Sequence, residues 1–171
     1  MAQIGNIHVG KADNAVPHSI TIYEAALIWD FLSARYKCIE ETSIYLNYVH
    51  DPEFKKMISK LGMKILESQS AEMEKQCNLY GIPMPKRPPK GINQKGDSMN
   101  FSDEFMFRQI FEGCQHFIDH LGFCIKTIVH NDSLRDTFIG FLHEELSIFS
   151  NICKYGKIKG WLEVAPIYSA D

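Results

Sequence analysis

Residues 81–100, GIPMPKRPPKGINQKGDSMN, constrain this chain more than any other stretch. The segment is rich in Pro, Gly and Lys, nearly free of large apolar side chains, and too long for a tight turn. On each side of it lies a pair of long amphipathic segments joined by a short turn. The pattern reads as two helical hairpins tied by one long strap.

At 171 residues and 45% hydrophobic content, the chain is long enough for one well-buried core and short for two. Residues 1–18 read as a mobile N-terminal arm, 19–160 as a four-helix bundle with its crossover at 81–100, and 161–171 as an apolar C-terminal tail. A net charge of -3 and a pI near 6.2, with no basic block beyond KRPPK, argue against nucleic acid as a partner. No basic start leads into an apolar run, and no segment has the roughly 18 uninterrupted apolar residues of a membrane span. Cytoplasmic synthesis without membrane insertion is expected. The five cysteines, Cys38, Cys77, Cys114, Cys124 and Cys153, are odd in number and form no CxxC pair, so they read as reduced structural thiols.

The first helix opens with the capping box TIYE, Thr21 as N-cap and Glu24 three residues on, which gives Glu24 a structural task. Its stripe is Ala25, Ile28, Leu32, Tyr36, Ile39 and Leu46. His50-Asp51-Pro52 ends it, with Asp51 and Pro52 suited to start the next helix. The second stripe, Phe54, Ile58, Leu61, Ile65 and Leu79, ends at Gly81. Ser102 caps the third helix, whose stripe runs Phe107, Ile110, Cys114, Phe117, Leu121, Cys124 and Ile128. Ser133-Leu134-Arg135-Asp136 fits a capping box for the fourth, which presents Phe138, Leu142, Leu146, Phe149 and Cys153 and loses definition over 156–160. A helix of about 27 residues is about 40 Å long, a distance that a Pro-rich strap of roughly 20 residues can span. The third helix can then begin where the first two turn, so the expected class is all-α: a ferritin-like four-helix bundle of two antiparallel hairpins joined by a long crossover.

Such folds suggest di-iron chemistry, which needs paired E-x-x-H ligands facing inward. No E-x-x-H occurs here, and no metal or other cofactor is expected in the core. His116 and His120, spaced i, i+4, with His143 near the level of His120, are surface candidates for a transition metal. Arg35, Gln69, Glu72 and Glu145 project inward and are expected to form a buried polar network, a guanidinium between two carboxylates whose charge opposes a cation. No nucleophile elbow, P-loop, GxGxxG or HExxH is present, so no catalytic residue is assigned.

The order of features, TIYEAALIWDF, VHDPEFKKMI, G-I-P-x-P after helix two, FSDEF, and the closing KGWLEVAPIY, resembles an uncharacterised ferritin-like family of endospore-forming bacilli described as putative spore coat proteins, distantly similar to spore coat protein F. The resemblance spans residues 20–168 and rests on structural punctuation, so it supplies no catalytic residue. It implies a non-enzymatic structural or interaction protein of the spore coat, with other coat proteins or a second copy of itself as partner. The alternative is a metal-binding ferritin-like oxidase or storage protein. Many such relatives carry two copies of the unit, which for a single-copy chain suggests a homodimer. Leu27, Ile44, Tyr45, Tyr48, Phe105, Phe123 and Ile148 point away from the principal stripes. Either a second copy or the arm and tail would cover them.

Overall fold

In the computed structural model, which describes residues 2–4, 7–9, 19–89, 101–166 and 168, the first helix opens on the capping box of TIYE. The Glu24 backbone N–H donates to Thr21 Oγ1 (3.1 Å) and the Thr21 N–H to Glu24 Oε2 (2.8 Å). The helix α1 then runs over Ile22–Tyr48. Asp51 starts the second helix by accepting from the N–H groups of Glu53 and Phe54, with Pro52 at the first position, where a missing N–H leaves no bond unmade. Among the described residues, that second helix comprises α2 (Pro52–Met57), a π-helical turn (Ile58–Gly62) and α3 (Met63–Tyr80), with helical backbone angles at both junctions. Gly81 closes it at φ 67°, a conformation that glycine adopts without a Cβ penalty. The last two helices are α4 (Asp103–Thr127), capped by Ser102, and α5 (Asp132–Lys159).

The bundle is thus built of four helices, α1 packed chiefly on α3 and α4 on α5. Hydrogen bonds identify its two ends. At one, the Asp103 carboxylate accepts from the N–H groups of His50 (2.9 Å) and Asp51 (2.6 Å), tying the start of α4 to the α1–α2 turn. At the other, Asn131 donates from its backbone N–H to Glu24 Oε1 and from Nδ2 to the Tyr80 hydroxyl, both at 2.9 Å. The chain leaves α3 at the Tyr80 end and enters α4 at the Asp103 end, so these two points lie at opposite ends of the bundle. Its first part, over 82–89, has no regular structure and is pinned by Arg87, which pairs with Glu67 and Glu74 of α3 and lies over the Tyr36 ring of α1. The remainder of the crossover, 90–100, lies outside the described residues.

Within the arm, β1 (Ala2–Ile4) and β2 (Ile7–Val9) form an antiparallel pair, with Ala2 opposite Val9 and Ile4 opposite Ile7. The sequence reading placed no strands there; the rest of the arm up to residue 18, and residues 167 and 169–171 of the tail, lie outside the described residues. The start of the tail packs: the Trp161 ring lies 5.7 Å from Phe54 and from Tyr155 and 5.9 Å from Phe107, across the bundle end.

Four expectations about helix phase and ends require correction. α5 begins on Asn131, whose Oδ1 accepts from the Leu134 N–H, because the bonds to Glu24 and Tyr80 hold Asn131 rather than Ser133 at the boundary. α5 also continues through Gly156 to Lys159. There the glycine serves packing: a Cβ on it would lie 2.3 Å from Phe107 Cζ. Gly156→Ala is therefore expected to destabilise the protein by about 1–3 kcal/mol through overpacking, read as a lower denaturant midpoint at unchanged m-value. An unchanged midpoint would show that the Phe107 ring yields freely.

The other two corrections concern apolar residues. Leu61, Leu79 and Leu146, expected on the buried stripes, are 51%, 58% and 44% exposed, whereas Met73 and Cys77 are fully buried; the π turn over Ile58–Gly62 shifts the phase of the α3 residues that follow it. Leu27 and Tyr45, expected to face outward, are core residues; Tyr48, Phe105 and Ile148 pack against the core margin. Phe123 remains exposed.

Lys159 Nζ donates to Asp51 Oδ2 at 2.7 Å. This bond, joined by the Phe54 N–H, holds the Asp51 carboxyl down to about 2. A depressed folded-state value stabilises above the unfolded value near 4 and fades as pH falls through about 2. Asp51→Asn is expected to flatten the dependence of Tm on pH between about 4 and 2 relative to the parent. Parallel curves in that window would contradict the assignment.

Candidate functional site

Two apolar clusters fill the bundle. One is centred on Phe31, Leu32, Met73, Leu121 and Phe138, the other on Phe54, Ile58, Met106, Phe107 and Ile152. Along α5, Glu145 falls between them, facing inward and 3% exposed; Arg35 of α1 is 2% exposed. Arg35 Nη2 donates to Glu145 Oε2 at 2.7 Å. The guanidinium carbon lies 3.6 Å from the Phe117 ring centre and 5.0 Å from that of Phe31. A buried ion pair of this kind recovers its desolvation cost only through such close geometry and a polarisable surround.

Two thiols flank the pair. Burial pushes Cys38 up to about 11, against the lowering influence of Arg35. Burial, with the Glu145 charge in second place, pushes Cys114 higher still. Neither thiol is a nucleophile near neutral pH, because nucleophilic attack needs the thiolate. Beside the pair is a cavity of about 190 Å³, bordered by residues of all four helices, including the π turn.

Of the residues expected in one network, Arg35 and Glu145 meet directly. Gln69 is buried but donates from Nε2 to Glu144 (2.9 Å), leaving its Oε1 without a partner. Glu72 lies apart, about a third exposed, bonded to Lys75 and Gln76 of its own helix. The reason is the π turn: it advances the inward face of α3 by one residue, so Met73 occupies the position projected for Glu72, and Cys77 follows one turn on. His116 and His143 are exposed, while His120 stacks on Phe31 and approaches Asp30 at 3.9 Å. Among the described residues no three His, Cys, Asp or Glu side chains group to hold a metal ion.

Sequence reasoning missed three contributors. Glu144, adjacent to His143 in the chain, carries no signal of its own, and it accepts from Gln69 across the bundle. Phe117 was placed in the core stripe without its cationic partner. The cavity had a faint signal in Gly62 and Gly113, two glycines inside amphipathic helices that line it.

No helix among the described residues is long and apolar enough to cross a membrane. No curated protein matches the chain significantly. Among solved structures it is similar to the crystal structure of a protein from Bacillus halodurans C-125 described as a putative spore coat protein. The TM-score is 0.81 at 18% sequence identity, covering 89% of this chain and 97% of that one. That likeness is one of fold. A family model described as "Protein of unknown function (DUF3231)" matches residues 14–170, nearly the whole chain, and the chain belongs to that family.

Proposed function

We propose that this protein is a non-enzymatic structural component of the spore coat, a ferritin-like bundle that acts by presenting helical and tail surfaces to other coat proteins or to a second copy of itself. The observation that carries this reading is the interior: where a ferritin-like oxidase gathers carboxylates and histidines around cations, this bundle holds Arg35 clamped to Glu145 and Phe117. A fixed guanidinium repels a metal ion and occupies the Glu145 carboxylate. The residues present do not fit a di-metal centre, and no reaction is derived through one. The fold likeness to a protein described as a putative spore coat protein supports the setting.

Immunoblotting of fractionated spores from the organism that encodes the chain tests the reading. The protein is expected in the coat extract and not in the spore core. Recovery from the core alone would overturn a coat role. The metal-binding alternative is addressed by elemental analysis of untagged protein after incubation with iron and manganese, with substoichiometric metal expected. Self-association is read by light scattering across a dilution series. Tyr23, Trp29 and Phe123 remain exposed around one hollow on α1 and α4 and support such contacts. A strictly monomeric mass at all concentrations would remove the homodimer from the proposal.

A further inference from the structure

The cavity between the two core clusters has a built character. Its apolar walls come from Ile58 and Ile65 on one hairpin and Ile110 and Ile148 on the other. Arg35 and Glu145 lie at its inner side, and it opens past Leu61, Ser147 and Asn151, which are exposed. Two backbone features keep it open. The π turn over Ile58–Gly62 forms part of its wall, and π turns mark functional sites more often than their rarity predicts. Gly62 and Gly113 both line the cavity without side chains, and a Cβ added to either would meet nothing within 4 Å. Glycine in a helix interior is less favourable than alanine, so two such positions on one cavity forgo stability that packing could recover.

The chemistry of the walls selects the occupant. A dry apolar cavity of about 150 Å³ accepts benzene, and this one, at about 190 Å³, has room for one ring and a small substituent. At its inner side Arg35 and Glu145 neutralise each other, and the further lining carboxylate, Glu41, accepts from the Tyr45 hydroxyl at 2.6 Å; beside the pair, an added carboxylate would face Glu145 and an added cation would face Arg35. The guanidinium has donor capacity to spare, since its buried Nε–H has no partner and a buried unmade hydrogen bond is costly. We propose that the cavity binds a small, uncharged, monocyclic aromatic molecule bearing one hydrogen-bond acceptor, the ring between the isoleucine walls and the acceptor toward Arg35.

Acetophenone, which has one ring and one carbonyl acceptor, is the probe, with benzoate and benzylammonium as charged counterparts. Saturation-transfer NMR on the full chain is expected to show acetophenone binding with a Kd below about 1 mM, and both ions weaker by at least about tenfold. Gly113→Leu should fill the cavity without a clash, keep or raise Tm, and abolish the acetophenone signal. Gly62→Leu, in the π turn, should do the same if the first variant folds poorly. Absence of acetophenone binding to the parent chain would overturn the proposal. So would equal binding by a folded cavity-filled variant, or benzoate binding as tightly as acetophenone.

Discussion

Glu145→Leu is expected to lower the free energy of unfolding by about 3–5 kcal/mol, the largest single effect in this protein. The loss comes from what stays behind. Arg35 is 2% exposed and cannot swing to solvent from its position against Phe117 and Phe31, so removing its carboxylate partner leaves an uncompensated buried cation. A quadrupolar ring face offsets about 2 kcal/mol of that. The double variant Arg35→Met with Glu145→Leu removes both charges and is expected to recover most of the loss, since well-packed apolar replacements of buried pairs are often neutral. Urea unfolding of the two single variants and the double variant measures this as a cycle. If the double variant is as unstable as the worse single one, the pair is not the reason the singles fail.

Glu24→Ala should cost roughly 3 kcal/mol, more than an ordinary cap. Its carboxylate is 1% exposed and bridges two helix starts, Oε2 accepting from the Thr21 N–H and Oε1 from the Asn131 N–H. Alanine leaves both donors unpaired, one of them fully inside. It also unties α1 from α5 at the end where the crossover departs. Glu24→Gln, which retains one acceptor, is expected to fall between the two. Thermal unfolding gives the ranking, and hydrogen exchange at the Asn131 amide gives the mechanism. A cost of about 0.5 kcal/mol, typical of a surface change, would show that water replaces the carboxylate.

How much of this architecture the amino-acid order contained can be judged residue by residue. The caps at Thr21, Asp51, Ser102 and Gly81 were legible because each is a local bargain: a short side chain or a missing Cβ meets a backbone need within four residues. The irregular stretch over 82–89 was legible for a similar reason, since its prolines cannot continue a helix. Together these determined four helices, two and two. The charge of Arg35 and its need for a buried partner could also be read from its place on the apolar stripe.

The partner itself belongs to tertiary structure. A projection at constant phase assumes that every turn of a helix is alike, and the turn over Ile58–Gly62 is not. By taking one more residue into that turn, the backbone moved Met73 and Cys77 to the core, left Leu61 and Leu79 outside, and carried Glu72 away from Arg35. Gly62 was a local hint. Whether the turn widens, however, depends on how α1 and α4 press against it, which no window of sequence contains. The same holds for Gly156, read as a break and found as a contact with Phe107. It holds equally for Glu24, whose second helix start lies 107 residues away. Local chemistry specified where helices start and stop; the phase at which they meet, and hence which charges become partners, was decided by packing between segments far apart in the chain.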